Sequence, residues 1–378
     1  MTSTSPITAV PRIVAEIGTA HGGDIERARE LIAAAADAGA DTAKFQLVRA
    51  DEILHPQAGS VDLPGGSVPL YERFRELERS EEFYGELKHA CESAGLRFLC
   101  TPFGVTSARI LRRLTVAEYK IASPELNHIP LLREIAHYQK PIILSAGVAT
   151  VRDIAEALAT LPPGLSVTVL QCITAYPAPE EEYNLRSITA LRDTFGVPLG
   201  VSDHSMDPIL VPALATLQGA SMIEKHITLS RTDTGLDDPI ALEPDQFRSM
   251  VEMVRRISAD LGEAARTGTI EFHRAWLQHE QQLKDQFGAQ RVEKVLGSGV
   301  KQLAPSEERN YGFTNRSIHA IRDMEAGRIL NADNIAVLRT EKNLSPGLHP
   351  RYWETILGRR TTGPVSSGQG ITWDHLLS

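Results

Sequence analysis

Cysteine is scarce: Cys91, Cys100 and Cys172 are the only three in 378 residues, and no two form a C-x-x-C pair. That excludes a disulfide framework and a zinc knuckle. Basic charge is in deficit too. Lysine and arginine number 39 against 48 acidic residues, a net charge of -9. Nucleic acid is therefore not the expected partner, although a local basic pocket can still hold a small phosphate. No apolar run approaches the ~18 residues of a membrane helix, so no membrane contact is expected. The opening MTSTSPITAVPR lacks a basic region followed by an apolar stretch, and the expected location is the cytoplasm. Also missing are a Gly-rich dinucleotide fingerprint ahead of the first helix, a G-x-S-x-G elbow and a Walker P-loop. What remains is 42% apolar and 23% charged, an ordinary globular composition.

Short β-branched runs alternate with amphipathic stretches over the first two thirds of the chain. The spacing predicts strands at 12–17, 42–47, 96–100, 117–122, 141–145, 166–171, 197–201 and 220–225. Helices are predicted at 25–38, 80–94, 105–114, 129–138, 150–160, 184–195, 208–218 and 243–261. Eight strand–helix repeats are what a (β/α)8 TIM barrel requires. An open doubly wound sheet alternates in the same way, but the missing fingerprint weighs against it. From 263 the pattern breaks. Residues 270–296 read as a long charged helix, followed by a polar linker, KQLAPSEERN. The expected division is a barrel over 1–285, a linker over 286–310 and a small unit over 311–378. A 68-residue unit of this kind is marginal alone and needs a surface to dock on.

Side chains at the carboxyl ends of barrel strands converge on one site, and here those ends are polar. Glu16 closes strand 1, Lys44 and Gln46 strand 2, Lys120 and Ser123 strand 4, and Glu224, Lys225 and His226 strand 8; Thr101 follows strand 3, Tyr176 strand 6, and Ser202, Asp203 and His204 strand 7. One such residue is usually an ion-paired structural group. A whole ring is expensive to bury without a purpose. His204 and His226 follow adjacent strands, and two neutral imidazoles completed by carboxylate or water suit a divalent transition metal. Lys44 and Lys120 with Thr101, Ser123 and Ser202 suit a phosphate-bearing anion. A Schiff-base lysine is the competing chemistry. His21 lies beside two glycines in GTAHGGD, where the backbone can approach a ligand closely.

AEIGTAHGGD, KFQ, TPF, KIAS, PIILSAG, TAYPAP, SDH and EKHITL occur in an order and spacing that resembles the sialic acid synthases. These are phosphoenolpyruvate-dependent nonulosonic acid synthases, which include N-acetylneuraminate, legionaminate and pseudaminate synthases. NRSIHAIRDMEAGRILNADNIAVLR and GLHPRYWETILGRR look like that family's antifreeze-like SAF domain. The resemblance implies condensation of phosphoenolpyruvate with an N-acetylated aldose, giving a nine-carbon keto acid and phosphate. By matching motifs, Lys44, Thr101, Lys120, Ser123, Thr174 and Ser202 would hold phosphoenolpyruvate. Gln46, Tyr176 and Asp237 would face the sugar, and His204 and His226 would bind manganese or magnesium. Glu16 and Glu224 would serve as acid–base carboxylates. Arg316 would reach the sugar of a partner subunit in a domain-swapped homodimer.

The chain departs from the family pattern in places. Ala20, His21, Gly22 and Gly23 stand where N-H-N-G is usual, Ile173 and Thr174 follow Cys172, and PGGS occupies the 51–70 loop. TAYPAP and GLHPRYW lean towards the pseudaminate branch, and the 263–300 insertion fits neither branch. Two rivals remain: a Schiff-base pyruvate aldolase, and a non-catalytic sugar-binding relative.

Overall fold

A computed structural model describes residues 10–63, 66–233 and 235–376. Pro64 and Gly65 of the PGGS stretch, and the first nine residues of the opening, lie outside the described residues. Eight parallel strands form a nearly closed barrel: β1 (Arg12–Gly18), β2 (Thr42–Leu47), β3 (Arg97–Pro102), β4 (Tyr119–Ile121), β5 (Ile142–Ser145), β6 (Val167–Cys172), β7 (Leu199–Asp203) and β8 (Met222–His226). Ladders run continuously from β3 through β2, β1, β8, β7, β6 and β5 to β4. Among the described residues no ladder joins β3 to β4, so the barrel has one seam, although the two strands lie side by side.

Alternation along the strands explains where the polar ring sits. Val14, Leu99, Ile143, Leu170 and Met222 fill the lower interior as one apolar cluster. Two residues further along the same strands come Glu16, Thr101, Ser145, Cys172 and Glu224, so the period of two that points the first set inward also points the second. The odd partners point outward. Asp203 and Lys225, counted in the polar ring from sequence, face each other between β7 and β8, with Lys225 Nζ 2.6 Å from Asp203 Oδ2 and from the Ser205 carbonyl.

Each strand is followed by a helix on the outside: α1 (Ile25–Asp37), α2 (Glu81–Ser93), α3 (Val105–Arg113), α4 (Ile129–Ala136), α5 (Val151–Thr160), α6 (Arg186–Phe195), α7 (Leu210–Leu217) and α8 (Pro244–Thr267). Local chemistry fixes several ends. The Asp24 side chain accepts from Glu26 N and Arg27 N ahead of α1, Thr150 and Asp153 form a reciprocal capping box at α5, and Gly196 ends α6 with φ +66°.

The stretch expected as one helix over 270–296 is two, α9 (Thr269–Phe287) and α10 (Ala289–Leu296), broken at Gly288 with φ +89°. Part of the expected linker is thus a packed helix: Val292, Val295 and Leu296 of α10 are buried in the main core. The C-terminal unit is a small antiparallel sheet of β9 (Arg316–Ala320) and β10 (Ile335–Arg339). Its own core gathers Ile318, Met324, Leu330, Ile335, Ile356, Val365 and Ile371. It docks on the barrel of the same chain, where the Asn127 side chain bonds both the N–H and the C=O of Arg316.

Candidate active site

A cavity of about 260 Å3 opens at the carboxyl ends of the strands. Thirteen of the fourteen side chains expected at a site line it: Glu16, Lys44, Gln46, Thr101, Lys120, Ser123, Thr174, Tyr176, Ser202, His204, Glu224, His226 and Asp237. A larger space of about 660 Å3 lies at the amino ends of β7 and β8, between α6, α7 and α9, but it contains none of this polar ring. The smaller cavity is therefore the candidate site.

Two carboxylates and two lysines form its floor. Lys44 Nζ lies 2.7 Å from Glu224 Oε1 and 3.3 Å from Glu16 Oε2. Lys120 Nζ donates to Ser145 Oγ at 2.6 Å and sits 3.6 Å from Glu224 Oε1, which also accepts from Ser202 Oγ at 2.9 Å. All of these residues are buried. Burial penalises the charged form, and each group answers according to its neighbours. Glu16, with a single close lysine, is raised to about 7, desolvation outweighing the pull of Lys44. Glu224 suffers the same desolvation but faces both Lys120 and Lys44, and is held well below the usual carboxylate range. Desolvation lowers Lys120 to about 8. Thus one carboxyl is poised near neutrality and the other stays ionised.

Among the described residues several buried polar atoms have no hydrogen-bond partner, Glu224 Oε2, Thr101 Oγ1 and Thr174 Oγ1 among them. Unpaired hydroxyls beside two ammonium groups make a receptor for an anion, because a bound phosphate or carboxylate satisfies them together.

At the mouth, the His204 and His226 rings lie 5.5 Å apart, and the half-exposed Tyr176 stacks on His204 at 4.3 Å. His204 Nδ1 donates to the Ile173 carbonyl at 2.8 Å, which leaves Nε2 as the lone-pair nitrogen. Burial holds His226 neutral, well below its ordinary pKa. For His204 burial works in the same direction, but Cys172 overrides it and the net shift is upward. Asp237 Oδ2 lies 3.8 Å from His226 Nδ1. Among the described residues no group of three or more His, Cys, Asp or Glu side chains converges as a metal cage. A divalent ion fits these donors only if it takes two imidazoles from the protein and completes its shell with water and substrate.

Arg316 is the residue placed elsewhere. It is fully buried under the cavity wall, with Nη2 2.8 Å from Glu125 Oε1 and 2.9 Å from the Phe103 carbonyl. The arginine at the cavity is Arg339, at the end of β10, whose guanidinium shares Glu125 Oε1 at 2.8 Å and lies 5.6 Å over the Phe103 ring. In this single chain the C-terminal unit covers its own barrel. His21 also stands apart: it packs between Phe45 and Phe83, and its Nδ1 accepts from Gly23 N at 2.9 Å. Burial, with Arg79 nearby, lowers it to about 4. Sequence reasoning missed Ser145, Cys172, Phe103 and Arg339. Ser145 was within reach, since it ends strand 5 inside PIILSAG. Nothing local ties Arg339 to the barrel.

Residues 31–266 match the NeuB family, and residues 315–377 match the SAF domain. The chain is 33% identical over 370 residues to the spore coat polysaccharide biosynthesis protein SpsE of Bacillus subtilis, covering 97% of this chain and 93% of that one. The crystal structure of SpsE superposes with a TM-score of 0.79 over 98% of this chain and 96% of that one. The N,N'-diacetyllegionaminic acid synthase of Legionella pneumophila is 30% identical over 374 residues, covering 96% and 94% of the two chains. The pseudaminic acid synthase of Helicobacter pylori is 30% identical over 372 residues, covering 97% and 98%.

Proposed function

Because the chain belongs to the NeuB family and carries a SAF domain, we propose that it condenses phosphoenolpyruvate with an N-acetylated aldose and water. The products are a nine-carbon nonulosonic acid and inorganic phosphate. The reading rests on one observation above the rest: two buried lysines and unpartnered hydroxyls surround a pair of buried carboxylates whose pKa values are pushed in opposite directions.

Lys44 and Lys120, with the hydroxyls of Thr101, Ser123, Thr174 and Ser202, receive the phosphate and carboxylate of phosphoenolpyruvate. Gln46, Tyr176 and Asp237 face the aldose, and Arg339 closes the mouth beside them. His204 and His226 would hold manganese or magnesium, which would supply Lewis-acid chemistry towards the aldose. Carbon 3 of the enol forms the new bond to the aldehyde carbon. Carbon 2 becomes electron-poor and is captured by water, and phosphate then leaves with cleavage of its bond to carbon 2. Glu224, ionised throughout, stabilises the positive character at carbon 2. Glu16, balanced near neutrality, takes the proton from the incoming water, which balances the proton that the former aldehyde oxygen takes up to become a hydroxyl.

The relatives named for legionaminic and pseudaminic acids make 2,4-diacetamido-2,4,6-trideoxyhexoses the first aldoses to try, with N-acetylmannosamine beside them. Phosphate release from phosphoenolpyruvate is measured for each sugar with manganese and with EDTA. Sugar-dependent, EDTA-sensitive release is expected, and its absence across the panel counts against the reading. The lowered pKa of Lys120 favours one rival, a Schiff-base aldolase. Borohydride trapping of pyruvate on Lys120 would establish that rival instead.

A further inference from the structure

Between α10 and β9, residues 297–315 cross the carboxyl ends of β5 and β6 and send two charged side chains inward. Lys301 Nζ donates to the Ala146 carbonyl at 2.9 Å. Glu307 is fully buried, and its Oε1 accepts from both Val148 N and Thr174 N at 2.7 Å. Its other oxygen accepts from Ala304 N at 3.3 Å. A carboxylate is a costly way to satisfy backbone amides, since a neutral side chain or a water would do so with less desolvation. The two loops it joins are therefore the place to look for a reason.

Val148 is strained. It is a buried, β-branched residue at φ +40°, in the left-handed region that such side chains avoid. A conformation of this kind persists only where its surroundings hold it. Both backbone polar groups of Val148 are held from the same crossing segment: Glu307 accepts its N–H, and Asn315 Nδ2 donates to its C=O at 3.1 Å. One residue earlier, Gly147 N donates to Ser123 Oγ at 3.0 Å. A Cβ at Gly147 would lie 2.1 Å from Thr174 Oγ1 and 2.9 Å from Ser123 Oγ. The bend at 147–148 thus brings the hydroxyls of Ser123 and Thr174 together, next to Ser145 on Lys120.

We propose that Glu307 is a positioning residue for the anion-binding half of the cavity. It holds the strained turn through Val148 N and the β6 loop through Thr174 N, and so sets the hydroxyls that receive the phosphate-bearing substrate. This rests on the assignment of that half to phosphoenolpyruvate. Glu307 touches no substrate itself and acts through the two loops.

The test uses full-length Glu307→Gln and Glu307→Asp. Phosphoenolpyruvate binding is measured by calorimetry without sugar, and KM for each substrate by phosphate release. Loss of charge-assisted bonds to two amides is expected to weaken phosphoenolpyruvate about tenfold in Glu307→Gln. Glu307→Asp should fall between, the sugar KM should stay within about twofold, and hydrogen exchange around Val148 should quicken. Unchanged phosphoenolpyruvate affinity in either folded variant overturns the inference. So does an equal rise in both KM values, which a merely structural role would produce. A wild-type chain that binds no phosphoenolpyruvate overturns the reading of the cavity as well, so the two failures are told apart by the wild-type titration.

Discussion

Glu16 and Glu224 are buried to the same degree, on neighbouring strands, and differ mainly in how many lysines face them. Their titration should be visible in stability. The folded pKa of Glu16 is raised to about 7, so its contribution is fully present below the unfolded carboxylate value and is lost as pH rises through about 7. Glu16→Gln has no charge to desolvate, so its Tm should gain on the wild type by a few degrees between pH 5 and pH 8. Parallel Tm profiles would contradict the assignment. The two arginines on Glu125 separate in the same way. Arg316→Ala strips a buried carboxylate of its fully buried partner and should cost about 3 kcal/mol in urea unfolding. Arg339→Ala removes a group at the cavity mouth and should instead raise the sugar KM several-fold with a smaller loss of stability. Reversed effects would return the sugar contact to Arg316.

The elements that sequence patterning located well are those with strong periodicity and clear punctuation. All eight barrel strands and their helices were legible, with ends displaced by a few residues; the expected 197–201, for instance, is Leu199–Asp203. The antiparallel pair Ser60–Leu63 and Gly66–Pro69, and the short helices Ala50–Ile53 and Leu70–Glu76, were not. Pieces of four to seven residues carry too little periodicity to register, and tertiary packing is needed to stabilise them. The lining of the candidate site was legible because the polar ends recur at strand spacing, whereas Arg339 comes to the cavity, and Glu307 to the loops beside it, from distant sequence that no local pattern connects. Helix α9 packs at the barrel end away from the cavity. Its half-buried Trp276 donates Nε1–H to the Leu217 carbonyl at 2.8 Å. Trp276→Ala should cost roughly 2–3 kcal/mol and leave phosphate-release kinetics unchanged at 25 °C. A fall in turnover would link α9 to the site.

At the scale of the molecule, the C-terminal third completes what the barrel begins. Arg316 donates to the Phe103 carbonyl just beyond β3, and binds Glu125 just beyond β4. It thereby bridges the two strands that share no ladder. A chain ending at Leu296 keeps every barrel strand but loses this bridge, Glu307 and Arg339. Its β3 and β4 amides should exchange hydrogen faster than those of β7 and β8, and its phosphate release should be lost. Full activity in that truncation would show that the barrel suffices. The seam also has a consequence in time. A ribosome delivers β3 and β4 some two hundred residues before the arginine that bridges them, so the nascent barrel waits with an open edge while the rest is made. A barrel cut short of that arginine would keep an unbridged seam between β3 and β4.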